Sequence, residues 1–138
     1  ILETKISKMA AHIHIEPYDN TLLVLAEAVP LEQVLVNLLN NALQAQEATA
    51  HPRVDITVTI EEANAVITVK DSGPGFSDEQ LQKVFEPFYT TKGKGLGLGL
   101  TISQRIMASF SGTIAAANHP QGGAVFTLTL PIKREPEV

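Results

Sequence analysis

The chain has 138 residues, 44% hydrophobic and 18% charged, a length and composition that suit one domain with its own buried core. Its net charge of −5 and the lack of any basic run leave no electrostatic footprint for a nucleic-acid-binding face. There is no cysteine, hence no disulfide framework or thiolate metal site, which permits a reducing compartment; no stretch approaches the ~20 apolar residues of a membrane span, and the opening ILETKISKMAAH lacks a signal peptide's apolar core.

In chain order, residues 1–10 read as the end of a linker, 11–132 as the domain, and 133–138 as a charged tail of a piece excised from something longer. His12 to Ile15 and Thr21 to Glu27 are predicted as short strands, separated by the turn signal Glu16-Pro-Tyr-Asp-Asn20. Pro30 stands at a first helical position, where its missing N–H costs nothing. From Leu31 to about Ala48 the apolar residues Leu31, Val34, Leu35, Leu38, Leu39, Ala42 and Leu43 recur at helical spacing and form one wide buried face. Asn37 and Asn41, four apart, then stack on the inner shoulder of that helix.

After His51-Pro52, β-branched alternation predicts strands over Val54 to Glu61 and Ala65 to Lys70, joined at Glu62-Ala-Asn64 and leaving Asp71 at a strand end. A short helix is expected over Ser77 to Val84, with Ser77 as N-cap and Gln80 as its capping-box partner. Phe85 to Gly95 has no period and reads as a loop. Leu100 to Phe110 is helical and stops near Gly112. Thr113 to Ala117 and Ala124 to Ile132 are strands around the turn His119-Pro-Gln-Gly-Gly123, with Pro131 marking a strand end.

Four segments stand in a fixed order: NLLNNAL at 37–43, DSGPG at 71–75, FEPFYTTK at 85–92 and GLGLGL at 95–100. Together they supply a metal-chelating amide, an isolated carboxylate beside two glycines, and a glycine-rich loop, which is equipment for holding a nucleoside triphosphate. A lone glycine run marks a turn, whereas the ordered set resembles the catalytic and ATP-binding domain of sensor histidine kinases, within the Bergerat-fold ATPase group that includes gyrase. The resemblance runs from about Ile15 to Pro131, and its wording is closest to sensors of C4-dicarboxylates or nitrogen. It implies an α/β two-layer sandwich, a mixed sheet of about five strands with three helices on one face.

The resemblance also implies roles. Asn41 would hold Mg²⁺, which keeps several waters and takes its other ligands from phosphate, so one protein ligand suffices. Asn37 stands where hydrolytic relatives carry a water-activating Glu; an amide cannot accept that proton, so the chain reads as built to keep ATP intact for transfer. For Asn37 itself, a helix-to-loop hydrogen bond and a contact on the phosphate side both stay open. Asp71 would accept from the exocyclic amine of adenine, with Gly73 and Gly75 letting the backbone approach the base, and Ala45 bordering the nucleotide. Ala124 stands where several relatives place a Thr or Ser that orders a water at adenine, which a methyl cannot do.

In the same implied site, Gly95, Gly97 and Gly99 bracket a covering loop to which Leu96 also belongs, and N–H groups of Gly97, Leu98, Gly99 and Leu100 at a helix start would face the phosphates. Thr91 would be among the nucleotide-binding residues. Lys92 and Lys94 are open between reaching a phosphate and lying in solvent, and Phe85 and Phe88 are expected to anchor the loop's near end.

A histidine kinase also needs an acceptor. His12 and His14 lie in a strand, and His51 and His119 precede prolines, so none stands on a long amphipathic helix. The acceptor is therefore expected on a separate dimerisation and phosphoacceptor domain, of whose linker residues 1–10 would be the end. Further expectations are ATP or ADP as ligand, a response regulator as partner, a monomeric piece of a homodimeric protein, and a place on the cytoplasmic side of a bacterial inner-membrane sensor. The competing reading is a Bergerat module acting as an ATP-gated clamp or a regulatory nucleotide-binding domain without kinase activity. Asn37 argues against a hydrolytic clamp, and the retained Asn41, Asp71 and glycines argue against loss of nucleotide binding.

Overall fold

A computed structural model describes residues 2–19, 22–87 and 99–133. The elements follow one another as α1 (Leu2–Met9), β1 (His12–Ile15), α2 (Ala28–Gln44), β2 (Arg53–Glu61), β3 (Asn64–Asp71), α3 (Asp78–Lys83), α4 (Gly99–Ser109), β4 (Thr113–Asn118) and β5 (Ala124–Pro131). The strands form one five-stranded sheet in the order β1-β2-β3-β5-β4. β1 pairs parallel to β2 and every other neighbour pair is antiparallel, so the sheet is mixed as expected.

Side-chain alternation divides the sheet into two faces. Val54, Val69, Ile114, Phe126, Leu128 and Leu130 turn toward the helices and pack with Val34, Leu38, Ala42 and Leu43 of α2 and Met107 of α4. Register aligns these residues across strands: Ile67 pairs with Leu128, Val69 with Phe126, and Ile114 with Leu128. The other face carries a threonine-rich band in which Thr57 and Thr68 hydrogen-bond across β2 and β3.

Several boundaries differ from the sequence reading for physical reasons. Pro30 is the third residue of α2 and not the first, since the helix begins at Ala28 after Glu27. The first four N–H groups of a helix have no intrahelical partner, so proline is tolerated there too. The strand predicted over Thr21 to Glu27 is not a named strand, and its last residue Glu27 is the extended N-cap of α2. What remains, among the described residues, is an isolated antiparallel bridge between Val24 and Ile132. Its backbone bonds run from Leu25 N to the Pro131 carbonyl at 2.9 Å and from Lys133 N to the Leu23 carbonyl at 2.7 Å. At its far end α2 stops at Gln44, short of Ala48.

Residues 2–9, read from sequence as linker, form the helix α1, which contacts α2. The β2–β3 hairpin closes on Glu62 and Ala63, with Glu62 at φ 55 and Asn64 already in β3. The capping box at α3 is present as read: Gln80 N donates to Ser77 Oγ at 3.1 Å, and Ser77 N donates to Gln80 Oε1 at 2.8 Å.

Candidate functional site

Asp71 is the last residue of β3, on the helix-facing side of the sheet opposite Val54. It is 3% exposed. Its Oδ1 accepts from Gly73 N at 2.9 Å and Ala124 N at 3.1 Å, while Oδ2 takes no hydrogen bond among the described residues. A buried carboxylate with one oxygen fixed by backbone donors is oriented to accept from an incoming N–H through the other. The Ala124 position therefore touches Asp71 through its main chain, a contact that its methyl side chain did not advertise.

The surrounding backbone comes close enough to demand glycine. A Cβ on Gly73 would stand 3.0 Å from the Ala45 carbonyl oxygen, which places the end of α2 against the DSGPG segment. A Cβ on Gly123 would stand 2.0 Å from the Asp71 carbonyl oxygen, and Gly123 has φ +87 besides. The His119–Gly123 turn is thus built into the wall beside Asp71. It closes with His119 N donating to the Gly123 carbonyl at 2.9 Å.

Asn41 lies half-buried on α2, one turn before Ala45, whose N–H donates to the Asn41 carbonyl at 3.0 Å. Asn37 lies one turn earlier and donates from Nδ2 to Ser103 Oγ on α4 at 3.1 Å. Of the two roles open for Asn37, the structure contains a hydrogen bond, though its partner is a helix and not a loop. Gly99, the first residue of α4, is packed on this amide: a Cβ there would meet Asn37 Oδ1 at 2.6 Å. Asn37 therefore joins α2 to the start of α4, where Leu100 is half-buried.

Three polar residues that sequence reasoning missed hold these pieces together. Gln46 is fully buried; it donates from Nε2 to the Ala42 and Arg53 carbonyls at 3.0 and 3.1 Å and accepts from Arg53 N at 2.8 Å, tying the end of α2 to β2. Thr101 Oγ1 donates to the Phe85 carbonyl at 3.0 Å, joining the start of α4 to the segment after α3. Phe85 packs on the core, as expected of an anchor. Asn118, at the end of β4, accepts from Phe76 N at 2.8 Å and donates to the Phe76 carbonyl at 2.6 Å. An Asn before a His-Pro turn carries no signal of a partner so distant in sequence.

The structure places Asn41, Ala45, Asp71 and Gly73 side by side where the end of α2 meets the end of β3, and Asn37 against Gly99 at the start of α4; Gly75 lies against Asn118 and Gly123, and Leu100 follows Gly99. Phe88, Thr91, Lys92, Lys94, Gly95, Leu96, Gly97 and Leu98 lie outside the described residues. The four histidines all lie off the helices, in β1 or beside the two prolines, as read. Among the described residues the shifted acid–base groups are Arg53 and Asp55 on β2, either side of Val54 and so on the opposite face of the sheet from Asp71. There Arg53 grips Asp55 through Nε and Nη2 at 2.8 to 3.0 Å, and these hydrogen bonds hold the Asp55 carboxyl below its ordinary value against a smaller opposing effect of burial.

Residues 26–134 match the histidine kinase-, DNA gyrase B-, and HSP90-like ATPases, and the chain belongs to that family. The C4-dicarboxylate transport sensor protein DctS of Rhodobacter capsulatus is 39% identical over 114 aligned positions, with 81% of this chain and 17% of that protein covered. The catalytic domain of histidine kinase ThkA, in a nucleotide-free form, superposes with a TM-score of 0.82 at 35% identity, covering 94% of this chain and 84% of that one. ThkA in complex with the response regulator protein TrrA superposes at 0.75 with 33% identity, covering 94% of this chain and 36% of that one. The family and the fold are those the motifs led us to expect, and a C4-dicarboxylate sensor stands among the relatives. The chain spans under a fifth of the length of DctS.

Proposed function

We propose that this chain is the ATP-binding catalytic domain of a two-component sensor histidine kinase, presenting Mg-ATP for γ-phosphoryl transfer to a His on a separate acceptor domain. The observation that carries the reading is Asp71, a buried carboxylate with one oxygen locked by Gly73 N and Ala124 N and the other uncommitted among the described residues. Such an acceptor suits the exocyclic amine of adenine and disfavours a base that presents a carbonyl there, because the carboxylate would be left unpaired. Gly73 and Gly75 let the base approach the backbone, and Ala45 closes the side toward α2.

Among the described residues no three His, Cys, Asp or Glu gather as a metal site. Asn41 would accordingly hold Mg²⁺ by its amide oxygen, with phosphate and water completing the shell, and the ion would neutralise phosphate charge. Asn37 offers an amide already bonded to Ser103 and has no basic lone pair for a water proton, so the reading is transfer and not hydrolysis. A loop bracketed by Gly95, Gly97 and Gly99 is proposed to cover the nucleotide, with the N–H groups of Gly97, Leu98, Gly99 and Leu100 toward the phosphates. The acceptor imidazole nitrogen would attack the γ-phosphorus in line as the bond to the β-phosphate oxygen breaks and ADP leaves.

In the whole protein, the phosphoryl group would pass on to an Asp of a response regulator, as the ThkA–TrrA complex makes reasonable by analogy. The proposal includes a homodimeric protein, a monomeric isolated domain, a linker at residues 1–10, a tail at 133–138, and a cytoplasmic position in an inner-membrane sensor. No helix among the described residues is long and apolar enough to cross a membrane.

The test uses γ-radiolabelled ATP with this chain, with its phosphoacceptor domain, and with both. Acid-labile label is expected on the acceptor only in the mixture, slowly and in proportion to protein concentration, since diffusion replaces the linker's effective concentration. Label on the isolated chain would overturn the separate-acceptor reading, and steady phosphate release without a partner would move the assignment to an ATPase.

A further inference from the structure

We propose that Asn118 is a positioning residue for the adenine end of the site, acting through the backbone of Phe76; the inference rests on the ATP-binding reading above. Its amide bonds Phe76 in both directions, at 2.8 Å from the Phe76 N–H and 2.6 Å to the Phe76 carbonyl, as a neighbouring strand would. The segment before Phe76 lies directly on that amide: a Cβ on Gly75, at φ +74, would stand 2.7 Å from Asn118 Oδ1 and 3.4 Å from the Gly123 carbonyl oxygen. The Phe76 ring meets Phe126 edge-on at 6.2 Å, which fixes the same point from the core side.

Gly73 to Gly75 thus hang between two fixed ends. One is Asp71, held by Ala124 N and pressed by Gly123; the other is Phe76, held by Asn118. Asn118 and Ala124 pair with one another across the β4–β5 turn, so a single turn sets both ends of the segment. Because Asn118 is exposed, water can replace its bonds when the side chain is cut back, and the fold is expected to survive. What is lost is the preorganisation of the base-contacting segment, and binding then has to order it.

The experiment is calorimetric titration of the unmodified chain, Asn118→Ala and Asn118→Asp with adenosine, ADP and Mg-ATP, alongside thermal unfolding and amide hydrogen exchange. Asn118→Ala is expected to weaken all three ligands by one common factor, about fivefold, the worth of one hydrogen-bonded anchor. The thermal midpoint should barely move while exchange at Gly75 and Phe76 accelerates. Asn118→Asp keeps an acceptor for the Phe76 N–H and should recover part of the loss; it carries the same comparison if the alanine variant does not fold. Unchanged affinity in a folded variant, or a loss confined to Mg-ATP, overturns the positioning role while leaving the ATP reading intact. Failure of the unmodified chain to bind any of the three ligands overturns the ATP reading, and this inference with it.

Discussion

Asp71 combines deep burial with one oxygen held by two backbone donors, and the proposed adenine contact rests on that combination. Its Oδ1 is held by Gly73 N and Ala124 N, so an amide here would turn its oxygen to those two donors and its NH2 to the other side, exchanging the acceptor proposed to face the base for a donor and removing the charge. Asp71→Asn is expected to weaken ATP binding by about 1.5 to 3 kcal/mol, the range for a hydrogen bond to a charged partner, as read by calorimetry. At Gly123 the constraint is steric: φ is +87 and a Cβ would stand 2.0 Å from the Asp71 carbonyl oxygen. Gly123→Ala should lose about 1 to 3 kcal/mol or more of stability from the strained backbone, measured by urea unfolding.

The elements that were legible from sequence are those whose determinants are local. The Ser77–Gln80 capping box spans three residues and was readable at once, as was the Leu31–Leu43 apolar face of α2. The start of α2 was not, because Glu27 makes no side-chain cap hydrogen bond and Ala28 and Val29 carry no start signal. Asn118 and Phe76 are brought together only by the β3–β5–β4 pairing, and Gln46 by the return of β2 beneath the end of α2. The end of α4 shows how a correct stop signal can act for another reason. Ser111, not Gly112, takes the left-handed conformation at φ 58. Gly112 N donates to the Met107 carbonyl at 2.8 Å and Ser111 N to the Ala108 carbonyl at 3.0 Å, a Schellman ending. Gly112 is required by proximity, since a Cβ would lie 2.5 Å from the Thr129 carbonyl oxygen of β5. Gly112→Ala is therefore expected to cost about 1 to 3 kcal/mol through overpacking, whereas Ser111→Gly should be neutral or slightly stabilising in the same unfolding measurement.

Across the molecule, the sheet separates a helix-covered face that ends in the site from an open face whose charged pair responds to pH. Hydrogen bonds from Arg53 lower the Asp55 carboxyl in the folded chain. That pair therefore contributes stability above the ordinary carboxylate range, and the contribution fades as pH falls through the depressed value. Asp55→Asn should flatten the acid side of the melting-temperature profile and leave nucleotide affinity unchanged, since the side chains of the pair lie on the opposite face of the sheet from Asp71. On the other face, the end of α2, the DSGPG segment and the β4–β5 turn converge from separate parts of the chain around one carboxylate, with Asn37 fastening α4 alongside. The central claim is that this convergence reads adenine and presents magnesium-bound triphosphate. Calorimetric titration of the chain with ATP, ADP and GTP, with and without Mg²⁺, tests it most directly. ATP and ADP should bind and GTP should not, with a magnesium-dependent gain for ATP that Asn41→Ala weakens; equal binding of GTP, or no heat with ATP, would contradict the account.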